Sequence, residues 1–150
     1  MVISQEQLGE ELSRAMERQS IIAKELAFKL RLKSVSTISM WTRGERPITE
    51  NRLRDLCDVL GDWRFKFIVA GYIAGVDFLG DNEYQNNVLA QHNRVIKEES
   101  ERKEIDPIYY DAISRGATSD IIGKHSKESF EEIQAEISEW VAGREQIICR

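Results

Sequence analysis

The chain of 150 residues holds two prolines, two cysteines and two histidines, and it has no long apolar run. So little proline leaves long stretches free to be helical. Cys57 and Cys149 each stand alone, with no Cys or His at metal-ligand spacing, so neither a disulfide framework nor a zinc module is readable. The most apolar stretch, Phe65 to Leu79, contains Lys66, Asp77 and two glycines, and it falls short of the ~20 residues a membrane span requires. The N-terminus lacks the positive start and apolar core of a secretory signal, so a cytoplasmic location is expected. What is present, 41% hydrophobic and 31% charged residues, is ordinary for a globular protein. This length suits one domain, or a small domain with an appendage.

The net charge of −5 argues at first against a nucleic-acid partner, but the distribution matters more than the sum. Residues 24–54 carry eight basic side chains (Lys24, Lys29, Arg31, Lys33, Arg43, Arg46, Arg52 and Arg54) against Glu25, Glu45 and Glu50. A basic window in an acidic chain can hold phosphates locally while the remainder discourages indiscriminate binding. Charge alone, however, fits a solvated face equally well.

Periodicity predicts an all-α fold. Ser4 with Gln7 forms a capping box for a first helix over roughly 4–18, with Leu8, Leu12 and Met16 on one face. Ile22, Leu26, Ala27 and Leu30 mark a short second helix ending near Arg31. A third begins between Ser34 and Ser36, buries Ile38 and Trp41, and stops at Arg43-Gly44 with Pro47 beyond. A fourth, capped by Thr49, carries Leu53, Leu56, Cys57 and Leu60. Asp62 caps a fifth running through Trp63, Phe67, Ile68 and Tyr72. After Gly75, Asp81 to Glu104 reads as a long polar helix with a narrow stripe of Val88, Leu89, His92, Val95 and Ile96. Asp106-Pro107 is expected to interrupt it before a short helix over Ile108 to Ile113. A loop from Ser114 to Ser126 then precedes a last helix capped by Ser129 and Glu132. The 3-4-3 spacing of Phe130, Ile133, Ile137 and Trp140 suits a seam against another helix.

The segments Ala23-Lys24-Glu25-Leu26-Ala27, Ser36-Thr37-Ile38-Ser39-Met40-Trp41-Thr42-Arg43-Gly44 with Pro47, and Arg52 to Leu60 together resemble the lambda-repressor-like (Cro-type, XRE) helix-turn-helix family over residues ~4–74. The resemblance implies a five-helix DNA-binding domain over 1–75, followed at 76–150 by a helical segment for dimerisation or partner binding. It implies a transcription regulator, specifically a homodimeric repressor of the kind carried by phages or mobile elements, bound to double-stranded DNA at a near-palindromic operator. The base-facing residues it implies are Val35, Ser36, Ser39 and Met40, with Lys33, Ser34 and Thr37 beside them and Arg43, Arg46 and Arg52 on the backbone. Two departures stand out. Ala23 replaces the Gln common at the start of the second helix, and Arg31 replaces the usual Gly of a turn that is one residue longer than expected.

The pattern also stands on physical grounds. A recognition helix must bury one side while short polar side chains on the other approach base edges. Trp41, on the apolar face, is read as core rather than as a base-stacking platform. Arg52 and Arg54 fit a solvated face as well as a phosphate contact. His92 lies on the apolar stripe and His125 in the expected loop, and neither has a partner at catalytic spacing. No enzyme site, cofactor or metal is therefore expected. Ala-Gly dipeptides at 70–71, 74–75 and 142–143 do not signal a self-cleaving repressor, because 76–150 shows helical rather than β periodicity. Two alternatives remain open at this stage: a C-terminal half that docks another protein, as in an antitoxin or an antirepressor-controlled switch, or a helix-turn-helix module that binds no DNA.

Overall fold

The structure, a computed structural model, describes residues 3–80, 87–116 and 119–148, the side chains of 145–148 excepted. Among the described residues it is all-helical: α1 (Gln5–Arg18), α2 (Ala23–Lys29), α3 (Ser36–Thr42), α4 (Glu50–Leu60), α5 (Trp63–Ala74), α6 (Val88–Ser114) and α7 (Ser119–Ile148). These helices form two compact units, one up to Asp77 and one from Phe78 onward.

The first unit starts with the expected capping box. Ser4 Oγ accepts from the Gln7 amide at 3.1 Å, and Gln7 Oε1 accepts from the Ser4 amide at 2.8 Å. Leu8, Leu12 and Ala15 then face a core shared with Leu26, Ala27 and Leu30 of α2, Ile38 and Trp41 of α3, Leu53, Leu56 and Leu60 of α4, and Phe65, Ile68 and Val69 of α5. Gly9 lets α1 lie directly on the end of α3, since a Cβ there would sit 2.3 Å from the Trp41 carbonyl oxygen. Two expectations need correction. Ile22 takes no part in the core: it is the N-cap residue of α2 and 65% exposed. Thr49 occupies the N-cap of α4, but its side chain makes no capping hydrogen bond.

Asp62 is the polar centre of this unit. It is 1% exposed and caps α5 by accepting from the Phe65 amide at 2.8 Å. It also receives both ends of the Arg18 guanidinium, Nε at 2.9 Å and Nη2 at 2.8 Å, and Gln19 Nε2 at 3.2 Å. The C-terminus of α1 is thereby fixed to the N-terminus of α5. Burial acts to raise the Asp62 carboxyl, but the bonds and charge of Arg18, with those from Phe65 and Gln19, outweigh it and hold the group below the ordinary carboxylate range.

The second unit is a hairpin of α6 and α7, and here the sequence expectations fail in several places. Pro107 lies inside α6, which continues to Ser114. The expected loop over 114–126 is largely helix, because α7 already begins at Ser119. Most of the expected helix start, 81–86, falls outside the described residues, and α6 begins at Val88, capped by Asn87. Cross-hairpin polar bonds explain the continuity. Arg102 binds Asp106 at 2.6 Å and reaches Glu132 on α7, and Asp106 also meets His125 at 3.0 Å. The His125 ring stacks on Tyr109 at 3.7 Å. These contacts flank Pro107 on both sides and offset the ~3 kcal/mol that an interior proline costs. His125 is thus a helix residue with partners, not a loop residue. At the other end His92, exposed, meets Glu139 at 2.9 Å.

The inward face of α6 is not the apolar stripe. Gln91, Glu98 and Ile105 are buried there, seven residues apart, facing Gln134, Ala135, Ser138, Val141 and Ala142 of α7. Leu89 and Ile96 instead remain exposed, and so do Phe130, Ile133 and Trp140 on α7.

Candidate nucleic-acid interface

Helices α2 and α3 are joined by a tight turn. Past the C-cap Leu30, the Leu32 amide returns to the Ala27 carbonyl at 2.9 Å and the Arg31 amide to Phe28 at 3.1 Å, closing the end of α2. Arg31 takes the left-handed conformation this closure demands, with φ +54. Arg52 of α4 braces the turn from behind, its Nη1 donating to the Leu30 carbonyl at 3.2 Å. Ser34 Oγ then accepts from the Ser36 amide at 3.2 Å and lies 2.6 Å from Ser36 Oγ, so the chain enters α3 with a fixed first turn. The exit is equally defined. The amides of Gly44 and Glu45 return to Trp41 and Met40, and Gly44 supplies the left-handed residue with φ +69.

Helix α3 is anchored by Ile38 and Trp41, both almost fully buried. Ser36, Ser39, Met40 and Arg43 follow at spacings of three, four and seven, which puts all four on the face opposite that anchor. Ser36 and Arg43 are exposed there and Ser39 and Met40 half-buried, with Thr37 on the flank. Lys33, Ser34 and Val35 are exposed just before the helix, and Arg46 just after it. Nine of the ten residues expected at the site thus lie on one continuous stretch of 33–46. The tenth, Arg52, is half-buried behind the turn, occupied by Leu30 and by Asp55 at 3.6 Å.

Chemically the face offers hydroxyl donors and acceptors, a thioether able to touch a thymine methyl group, and cations at both ends. Arg43 is paired with Glu45 at 3.1 Å, an exposed contact weak enough for a phosphate to displace. Sequence reasoning missed the bracing role of Arg52 and the part played by Gly9. The signal for Arg52 was its place one helical turn N-terminal to Leu56, beside the core. Gly9, an interior glycine in a strongly patterned helix, signalled close backbone approach.

Residues 12–62 match the family model described as helix-turn-helix. The match runs from Leu12 in α1 to Asp62, the cap of α5, and so spans the whole of α2, the turn, α3 and α4. No curated protein and no solved structure matches the chain.

Proposed function

We propose that this protein, whose residues 12–62 match a helix-turn-helix family model, is a cytoplasmic, homodimeric transcription repressor of the lambda-repressor-like type that binds double-stranded DNA at a near-palindromic operator. The observation that carries the reading is the α3 face: Ser36, Ser39, Met40 and Arg43 point away from the Ile38 and Trp41 anchor, in a helix held at both ends. Base edges are read by Ser36, Ser39 and Met40, with Val35 and Thr37 beside them. Lys33, Arg43 and Arg46 hold the backbone. Residues 1–75 serve as the DNA-binding domain and 76–150 as the oligomerisation segment.

The dimer reading rests on α7. Ile133 and Trp140 are 48% and 45% exposed, and with exposed Phe130 and half-buried Ile137 they form a stripe along the edge of the face that packs on α6. The partner assigned to it is a second copy. The stripe from Phe130 to Trp140 covers about 16 Å of the 30-residue helix, so two such strips about 10 Å wide bury on the order of 300 Å² as the apolar centre of a contact that the rest of α7 would extend. Pairing also joins two half-site readers and raises operator affinity by about 10²–10⁴ through effective concentration. Sedimentation of the full chain tests this, with Ile133→Glu and Trp140→Glu as variants. A dimer that these variants dissociate, at unchanged helicity, is expected, whereas a monomeric parent would exclude the homodimer.

A second reading draws on Leu89 and Ile96, 67% and 51% exposed on α6, which pairing through α7 leaves uncovered. In it the C-terminal half docks a regulatory protein. A parent that stays monomeric at high concentration would favour it.

A further inference from the structure

Four of the eight basic side chains between Lys24 and Arg54 are held by carboxylates: Lys29 by Glu25, Arg43 by Glu45, Arg52 by Asp55 and Arg54 by Glu50. Among the described residues the other four, Lys24, Arg31, Lys33 and Arg46, enter no ion pair, and all four are exposed.

Arg31 differs from the other three in its backbone. It sits at the left-handed position that closes α2, with φ +54. Ser20, just past α1, is the other described non-glycine residue at that conformation, with φ +53, a short side chain where α2 ends on a long cation, whereas the ends of α3, α4 and α5 place Gly44, Gly61 and Gly75 there, with φ of 69, 62 and 70. Glycine adopts it freely, whereas an L side chain there is strained. At the end of α2 this chain gives up that fit for a long cation. The main-chain closure needs no arginine, since the bonds from the Arg31 and Leu32 amides use backbone alone. An observed strained residue is a reason to look for what its side chain does.

Position supplies the answer. Arg31 is five residues ahead of Ser36, the first residue of α3, so its Cα lies within about 17 Å of the recognition helix even if the chain were fully extended. The major groove that would receive α3 is about 12 Å wide and walled by phosphates, and a planar guanidinium suits a phosphate through two parallel bonds. Arg52 already braces the turn from its inner side, leaving the Arg31 side chain outward. We infer that Arg31 is a phosphate-binding residue that clamps the DNA backbone beside the groove entered by α3, an inference that rests on the DNA-binding reading above.

The test uses the full-length protein and a random-sequence duplex of 30 base pairs, titrated from low to physiological salt. Arg31→Gly is expected to melt at a higher temperature than the parent yet bind the duplex about tenfold more weakly at low salt, and the slope of log affinity against log salt should shrink by about one. Arg31→Asn, which also tolerates the left-handed conformation, should weaken binding in the same way, and Arg31→Lys should keep most of the slope. An Arg31→Gly protein with the parent's affinity and slope overturns the inference. An Arg31→Gly protein that melts lower than the parent also overturns it, by removing the strain on which it stands. If the parent itself leaves the duplex free at low salt, the DNA reading falls too, and the two failures are thereby distinguished.

Discussion

Replacing Asp62 by Ala removes the acceptor that joins α1 to α5. In the folded protein this carboxylate takes four bonds, two from Arg18 and one each from Gln19 and the Phe65 amide. The variant takes the Asp62 carboxylate away from the Arg18 guanidinium at a site where its side chain is only 15% exposed, and it removes the side-chain cap from the first turn of α5. Breaking a buried pair from one side costs about 3–5 kcal/mol, and loss of a cap contributes about 1 kcal/mol of that order. Because Arg18 retains some contact with water, the lower end, about 3 kcal/mol, is expected. A unit of this size has a total stability of only about 4–11 kcal/mol. Urea unfolding followed by circular dichroism and tryptophan emission reads the change. With a slope near 1 kcal/mol per molar, typical of small domains, the midpoint of the N-terminal unit should fall by about 3 M. Asp62→Asn keeps an acceptor for the Phe65 amide and should lose about 2 kcal/mol. The pH dependence has a fixed sign. The folded carboxyl titrates below its unfolded value of about 3.9, so its stabilisation is complete above that value and disappears as pH falls through the folded value. The gap between parent and Asp62→Asn should therefore narrow in acid. A midpoint for Asp62→Ala within about 0.5 M of the parent at pH 7 would refute this account of how α1 and α5 are joined.

Gly9→Ala should destabilise the same unit by about 2–3 kcal/mol, because its Cβ meets the Trp41 carbonyl, which is backbone and cannot swing aside; a thermal melt unchanged from the parent would count against the packing described. Burial pushes the Cys57 thiol up from 9.0 to about 11, with Lys66 opposing, so at pH 8 the native protein should alkylate at Cys57 far more slowly than the urea-unfolded chain, as peptide mass spectrometry would show. Ser39→Ala and Met40→Ala should change which duplex is preferred by ~1–3 kcal/mol per lost base contact, whereas Arg46→Ala should weaken all duplexes alike; competition binding over a duplex panel separates the two.

The N-terminal unit was largely legible because its signals are local. The Ser4 and Gln7 capping box, the leucine spacing of α4, and Gly44, Gly61 and Gly75 at helix ends each follow from a few neighbouring residues. Ile22 was misjudged since an apolar residue at a helix boundary fits the period of the next helix without reaching its core. The C-terminal unit was misread because its helices are decided across the hairpin. Pro107 and Gly123 are local breakers, yet Arg102, Asp106, His125 and Glu132 tie α6 to α7 around them. Hydrophobic periodicity also pointed to the wrong face of α6, because the buried positions Gln91 and Glu98 are polar and periodicity counts only apolar residues. Burial pushes the Glu98 carboxyl up, as expected for a group packed between two helices. Nine of the ten residues expected from the sequence to meet DNA fall on one stretch, 33–46, whereas the strain at Arg31 and the inward turn of Arg52 depend on backbone angles and long-range contacts.

The central claim is that α3 reads DNA sequence from a symmetric pair of domains. The measurement that tests it most directly is selection of bound duplexes from a random pool by the full-length protein, repeated with Ser39→Ala. Two recognition helices related by a two-fold axis sit about 34 Å apart on one side of the duplex, so the parent should enrich a near-palindrome whose half-site centres lie about one helical turn, or a multiple of it, apart. Ser39→Ala should relax or change the same position in both half-sites. A pool that stays random after repeated rounds, or a motif that Ser39→Ala leaves untouched, would contradict the account.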